Sequence, residues 1–401
     1  MKLKEVQSVA QLDPQGRAMQ MLKLGQELYD SKKGKGKASK LALPSSMKAE
    51  VVMDEPCSLV LKSLHGVDGE TPHDMVGLSL TGRSLETVNG TVPDLVMTPQ
   101  GRKKQALKAL TRKGASSLSD LAIRQLGVGM LDSHPHARLC SAYAYWQATG
   151  LSEPVIPVLA SAIGSDDVDE HTLAAMCLAR IDPSKVKHLE QTSRVAKKQT
   201  VSAGSSGAAG EKASMTLIIH GTFANGSAWY KPGGDFHKYI RKNVYSDVYS
   251  GSDFYAWSGS YSVFDSELKK IWTKAARKLV AWCNNHPAKK LRLIAHSHGN
   301  NVVNMATQMG LKACSLIQLS PPVHEWNLPV MSNVASDRLF NIHSSHDPVV
   351  FVDGGAQDYN GTVVHSSERT RIISFFSHSD SHDAGLWKKK KIPPFVKTVC
   401  Q

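Results

Sequence analysis

The hydrophobic pattern of residues 215–395 alternates short β-branched runs with helix-like segments. Six runs have the length and composition of strands, namely MTLIIHG, DFYAWSG, LRLIAHS, CSLIQLS, RLFNIHS and TRIISFF. Helical periodicity separates the first three runs and follows the third. Strands that alternate with helices predict βαβ units with right-handed crossovers, and hence a mostly parallel sheet covered on both faces. Functional side chains are then expected just beyond the carboxyl ends of the strands.

Residues 101–192 have a different pattern, with three-to-four spacing of apolar positions. Four segments carry it: SLSDLAIRQLGVGML, HPHARLCSAYAYWQATG, SEPVIPVLASAIG and DEHTLAAMCLARI. Short helices with an Ala-rich inner face, and the phrase HPHARLCSAYAYW in particular, resemble HEAT repeats. The resemblance implies antiparallel helix pairs that present a surface to a protein partner. A plain helical cap over the following domain is the alternative.

The remaining segments divide the chain into domains. Residues 1–40 are predicted to form a short helix followed by a Lys- and Gly-rich basic linker. The apolar residues that group on this helix are Met19, Leu22, Leu24 and Leu28. Residues 41–100 mix apolar runs with Gly, Pro and Asp and predict at most a small β element. Residues 193–214 are small, polar and rich in Gly, Ser and Ala, which predicts a flexible linker. The last domain is expected to be 215–401.

Composition and charge give information about the possible partners and the location of the protein, and less about its fold. The net charge of +13 and a pI near 9.3 favour anionic partners, although solubility alone is an equal explanation. The six cysteines are scattered without a CxxC pair, so we expect them to be reduced, as in a cytosolic protein. The first 20 residues lack the apolar core of a signal peptide, and no run approaches the roughly 20 apolar residues of a transmembrane helix. We therefore expect a cytoplasmic protein, or one exported by a system that needs no signal peptide.

Ser297 lies where a strand is expected to meet a helix, in LIAHSHGNN. Ala295 and Gly299 occupy the two small positions of a G-x-S-x-G nucleophile elbow. Small residues are required there because the serine is held on a sharp turn. The backbone N–H of His298, at the start of the helix, is expected to contribute to an oxyanion hole.

The strand that ends in His220 and Gly221 predicts the second half of that oxyanion hole. Gly221 lets the backbone approach a reacting carbonyl, and the N–H of Thr222, with Phe223 as the alternative, joins that of His298. We assign His220, Phe223 and Trp257 to the substrate pocket. A structural, hydrogen-bonding role is the stronger alternative for His220.

Two later strand ends supply a candidate acid and a candidate base. Asp347 follows one strand, where it could orient an imidazole, although an Asp-Pro turn is the plain alternative. The final strand runs into a loop with two histidines, of which we prefer His382 to His378 as the general base. His343 and His346 suggest metal binding, but no complete ligand set has a fixed spacing, and neither a metal nor a cofactor is expected.

The order HG, Ser, Asp, His, each after a separate strand, is the order of α/β-hydrolases. Residues 215–395 resemble that superfamily, most of all lipase-like and GPI-inositol-deacylase-like serine esterases, in which phrases like HGTFA, WSG and AHSHGN recur. The resemblance implies an α/β-hydrolase fold, preceded here by the HEAT-like region. It implies a carboxylic-ester hydrolase of the lipase or phospholipase kind, in which Ser297, His382 and Asp347 form an acyl-enzyme and hydrolyse it.

Other segments bear on substrate and partners. Aromatic residues on loops after the first two strands suggest an acyl pocket, with ordinary packing as the alternative. Residues 320–334 stand where lipases insert a lid. Basic runs such as WKKKK fit peripheral contact with an anionic membrane or merely a solvated face. An ester or phospholipid is the expected substrate, and no nucleic acid is expected.

Two further functions stay open. One is an interaction protein with a hydrolase fold that has lost its chemistry, although the presence of all three triad residues opposes it. The other is an antibacterial lipase effector delivered to other cells by a secretion system, which the lack of a signal peptide permits.

Overall fold

The computed structural model describes residues 13–32, 118–185, 212–334 and 338–397. The chain forms two compact units, Met1–Cys177 and Leu178–Gln401. The expectations for the basic linker up to residue 40, for residues 41–100 and for residues 193–211 lie outside the described residues.

The first unit is helical in its described part, as the apolar spacing predicts. Helix α1 is Pro14–Lys32, α2 is Leu118–Gly129, α3 is Pro135–Thr149, α4 is Ile156–Ala162, and α5, Val168–Ile181, contains the division between the units. Gly150 ends α3 in the left-handed conformation at φ 79°, and its N–H donates to the carbonyl of Trp146. This is the glycine cap that closes many helices.

Helix α1 packs along α3 through small and aliphatic side chains. A Cβ atom at Gly25 would lie 2.5 Å from that of Ala144, so the two backbones are in close approach. The four apolar residues grouped in the sequence are all buried: Met19, Leu22, Leu24 and Leu28. Arg17 pairs with Asp132 at 2.7 Å near the start of α1. That these helices stack as HEAT repeats stays a prediction.

The second unit contains a parallel sheet of five strands, ordered as they occur along the chain. The strands are β1 Met215–Ile219, β2 Leu291–His296, β3 Ser315–Leu319, β4 Leu339–His343 and β5 Glu368–Ile372. Every neighbouring pair is parallel. The predicted α/β class with a mostly parallel sheet is therefore confirmed.

One predicted strand, DFYAWSG, does not form. Val248 makes a single parallel bridge to Thr216 in its place. The N–H of Trp257, within the predicted strand, donates to the ring nitrogen Nε2 of His220 instead of to a strand carbonyl. A side chain thus takes the hydrogen bond that a sixth strand would have needed.

Helices cover the sheet and connect its strands. They are α6 Asp235–Asn243, α7 Asp265–Asn285, α8 His298–Gln308, α9 Pro348–Asp353, α10 Ala384–Lys389 and α11 Ile392–Val396. Alternate strand residues, including Ile218, Ile294 and Phe340, form a core with Phe236 of α6 and Trp387 of α10. Strands buried on both faces explain the continuous apolar runs in the sequence. The packing fixes the carboxyl ends of β1 to β5 along one edge.

Two expectations about environment can be compared with the structure. No helix within the described ranges has the length and hydropathy needed to cross a bilayer.

Cys314 is disulfide-bonded, so the prediction that all six cysteines are reduced is wrong for this residue. Scattered spacing gives no pairing signal, because distance along the chain does not set distance in the fold.

Candidate active site

Ser297 occupies a strained turn at the carboxyl end of β2, an interior strand of the sheet. Its backbone has φ 52° and ψ −135°, a region that costs a non-glycine residue about 1–3 kcal/mol. The N–H of Ser297 donates to the carbonyl of Leu319 at 2.9 Å. Asn300 donates to the carbonyl of Ser297, both from its N–H and from its side-chain amide. These bonds hold the serine in a conformation that it would not adopt alone.

Glycines allow the end of β1 to approach this turn. A Cβ atom at Gly221 would lie 2.5 Å from Cβ of Ser297 and 3.2 Å from its Oγ. A Cβ atom at Gly299 would lie 2.6 Å from the carbonyl oxygen of His220. Any larger residue at either position must displace backbone or the serine itself, which is the size requirement inferred from the sequence.

Thr222 and His298, the predicted oxyanion donors, come together in the structure. Oγ1 of Thr222 and Nδ1 of His298 are hydrogen-bonded at 2.6 Å. The N–H of Phe223, the alternative donor, instead donates to the carbonyl of Gly259 at 3.0 Å. The geometry therefore favours Thr222 over Phe223 as the partner of His298 at this site.

Asp347 meets His378, the second choice for the general base. Nδ1 of His378 and Oδ2 of Asp347 are 2.7 Å apart, and both residues are buried. The other carboxylate oxygen, Oδ1, accepts the N–H groups of Val349 and Val350 at the start of α9. The N-cap of a short helix thus fixes the carboxylate that orients the imidazole.

The loop that carries His378 is hydrogen-bonded to His296, the residue before Ser297. Nε2 of His296 donates to the carbonyl of His378 at 3.1 Å, and the two rings are 4.7 Å apart. The strand ends of Ser297, Asp347 and His378 are thereby brought to one site, as a parallel sheet requires.

His382, the preferred base in the sequence analysis, lies in a different environment. Its ring stacks on Trp229, with centroids 4.1 Å apart and planes 2° from parallel. Burial and, to a smaller extent, the neighbouring His378 lower the pKa of His382 to about 3. The order of preference is therefore reversed by geometry, because Asp347 orients His378 and aromatic packing holds His382.

The residues assigned to the substrate pocket are buried, and two of them bond to each other. The indole Nε1 of Trp257 donates to the carbonyl of His220 at 2.7 Å, and their rings stack at 5.6 Å. Burial lowers the pKa of His220 to about 4. Phe223 packs against Tyr261, with ring centroids 6.1 Å apart. These contacts fit the structural, hydrogen-bonding role that is the alternative for His220, and its place in a substrate pocket stays a prediction.

Residues 320–334, where a lipase lid was expected, are bonded to α8. The amide of Asn304 donates to the carbonyl of Asn327, and the amide of Asn327 donates to that of Asn301. His343, considered as a metal ligand, receives a hydrogen bond from Gln357 at 3.1 Å on Nδ1.

A second cluster next to the site was missed by sequence reasoning. It comprises His298, His324 and Asp353. His324 and Asp353 do not directly follow a strand and have no recognisable spacing in the sequence. His298 was assigned a role only through its backbone N–H. The sequence therefore contains no local pattern that predicts this cluster.

The lowered pKa of His382 predicts a specific loss of stability in acid. His382 is neutral in the fold, with a pKa of about 3 against 6.5 for an unperturbed side chain. The unfolded chain therefore binds the extra proton first, so stability is full above about pH 6.5 and falls as the pH drops towards 3. His382→Phe keeps an aromatic ring and removes the titration. We expect this variant to lose about 1 kcal/mol less than wild type between pH 6 and pH 5.

Urea titrations at both pH values, followed by tryptophan fluorescence, measure this difference. His365→Phe is the matched control, because the side chain of His365 is exposed. An equal loss of unfolding free energy in wild type and His382→Phe would contradict the prediction.

Comparison with known proteins gives little beyond this geometry. No protein-family model matches the chain, and no curated protein matches it. A crystal structure of an uncharacterized protein from Bacillus cereus is similar over 73% of this chain and 99% of its own, with 14% sequence identity and a TM-score of 0.28. A likeness at that TM-score carries no information about activity, so function is inferred from the site alone.

Proposed function

We propose that the second unit is a serine hydrolase with an α/β-hydrolase fold that cleaves carboxylic esters, of the lipase or phospholipase kind. The observation that carries the proposal is the buried Asp347–His378 pair, fixed through His296 beside the strained Ser297. Strain of this kind persists only where surrounding bonds enforce it, and it concentrates at functional sites.

The proposed reaction has two steps. Oγ of Ser297 attacks the ester carbonyl while Nε2 of His378 takes the hydroxyl proton, and Asp347 keeps the proton on Nδ1. The N–H groups of Thr222 and His298 stabilise the oxyanion. His378 then protonates the leaving alcohol. Water, activated by the same imidazole, attacks the acyl-enzyme and releases the carboxylic acid.

Access to the serine sets a condition on the substrate. Ser297 is only 4% exposed, so the proposed site admits an ester only through a narrow approach. Lys388 to Lys391 form an exposed basic run beside the buried Trp387. Such a run attracts anionic headgroups, which supports a phospholipid surface as the place of reaction.

A protein-binding role for the helical unit also belongs to the proposal.

Labelling with a fluorophosphonate probe tests the function. The probe reacts with an activated serine, so wild type should be labelled and Ser297→Ala should not. Ser320→Ala is the matched control, since Ser320 also follows a strand at positive φ but donates its hydroxyl to Ser381. It should be labelled like wild type.

A panel of p-nitrophenyl esters and phospholipids then defines the substrate class. Absence of label on folded wild type, together with no hydrolysis of any ester, would favour the catalytically silent interaction protein. Label that persists in Ser297→Ala would show that the nucleophile is a different residue.

A further inference from the structure

Three side chains converge on a small volume next to Thr222: one from α8, one from the segment after β3 and one from the end of α9. Nε2 of His298 lies 3.2 Å from Oδ2 of Asp353, and Nε2 of His324 lies 3.0 Å from the same oxygen. All three atoms are within 4.8 Å of one another. His324 is aligned for a hydrogen bond to the carboxylate, whereas Nε2 of His298 is buried and has no aligned partner among the described residues.

We propose that His298, His324 and Asp353 bind a zinc ion. Two imidazoles and one carboxylate are a donor set that zinc takes in proteins, with a fourth position for water. A tetrahedral ion with bonds of about 2.0–2.2 Å places its ligand atoms about 3.3 Å apart. The two imidazole nitrogens lie 3.2 Å and 3.0 Å from Oδ2 of Asp353, close to that separation. Imidazole nitrogens also select against magnesium and calcium, which prefer oxygen.

The groups around these ligands are arranged as outer partners of a metal site. Nδ1 of His298 is hydrogen-bonded to the hydroxyl of Thr222. A proton on that nitrogen would leave Nε2 free to coordinate. The hydroxyl of Tyr261 donates to Oδ1 of Asp353 at 3.2 Å, which directs Oδ2 to the ion. Arg180 donates to the carbonyl of Asp353, and its guanidinium lies 3.9 Å from Oδ1, the carboxylate oxygen that does not face the two imidazoles.

Aromatic rings surround the cluster. The ring of Trp272 lies 5.1 Å from that of His298 and 5.5 Å from that of His324. Trp326, partly exposed, stacks on Trp272 at 5.4 Å. A wall of this kind limits water at a metal site and strengthens its electrostatics.

The ion would join the proposed oxyanion hole to two other segments. His298 supplies the oxyanion N–H, His324 belongs to 320–334, and Asp353 ends α9. Zinc is therefore expected to position His298 and, through it, Thr222. The metal site stands on these contacts alone, and only its effect on catalysis rests on the proposed function.

Calorimetric titration of chelator-treated, full-length protein with zinc tests the proposal. Wild type should bind about one zinc per chain, and Ser297→Ala should bind it equally, whether or not Ser297 is a nucleophile. His324→Gln and Asp353→Asn should lose the site. Thr222→Val, which keeps the N–H and removes the hydroxyl, should weaken binding about 10–100-fold.

His365→Ala is the matched control for a surface histidine and should bind zinc like wild type. Cobalt, added in place of zinc, should give the visible absorption of a four-coordinate site in wild type but not in His324→Gln. Circular dichroism verifies that each variant is folded, and His324→Gln decides the result where Asp353→Asn does not fold. A wild type that binds no zinc, or a folded His324→Gln with unchanged affinity, would overturn the assignment.

Discussion

His378→Ala should lower kcat for ester hydrolysis about 10⁶-fold, whereas His382→Phe should leave it within about tenfold of wild type. The difference follows from position. His378 is hydrogen-bonded to Asp347 and tied through its carbonyl to His296, next to Ser297. His382 is stacked on Trp229 and is kept neutral by burial. Steady-state kinetics on a p-nitrophenyl ester measure both variants.

Urea denaturation of the same variants separates catalysis from folding. His378→Ala should remain folded, so its loss would appear in kcat and not in the fraction of native protein. If His382→Phe lost activity as completely as His378→Ala while folded, the geometric preference for His378 would be wrong.

Asp347→Asn should lower kcat about 10⁴-fold with little change in stability, because it puts His378 in the wrong tautomer. Oδ1 of Asp347 accepts two N–H groups of α9, from Val349 and Val350. The asparagine oxygen must replace Oδ1, since an NH₂ group there would face two donors. Its NH₂ then points at Nδ1 of His378, which must accept. The proton moves to Nε2, where it prevents the imidazole from acting as a base.

Asp383→Asn is the matched control for this variant. Asp383 also caps a helix, with its carboxylate accepting the N–H of Leu386 at 2.6 Å, but it is not paired with a catalytic histidine in our proposal. Its kcat should stay near that of wild type. Activity of Asp347→Asn within about tenfold of wild type would contradict the tautomer argument.

Much of the second unit is predictable because its signals are local. β-branched runs and three-to-four periodicity place five strands and the helices α6, α7 and α8 of the sheet domain near their observed bounds. Since parallel strands end at one edge, the same pattern also indicates that Ser297 and Asp347 lie near each other. The failed strand DFYAWSG shows the limit, because the imidazole of His220 takes the backbone N–H of Trp257.

The sequence alone does not show which of two histidines meets Asp347. His378 and His382 share one loop after β5, and composition does not distinguish them. The path of the loop puts the first ring against Asp347, 31 residues earlier in the chain, and turns the second onto Trp229. Sequence spacing carries no information about such a path.

The sequence by itself determined the class of the fold, the strand–turn–helix around Ser297 and the order of the candidate residues, because each depends on neighbours a few positions apart. Only the tertiary structure decided which histidine meets Asp347, that Thr222 bonds His298, and that His324 and Asp353 converge behind the site. Those contacts join segments separated by tens of residues. They are set by the packing of helices and loops onto the sheet, which no local pattern records.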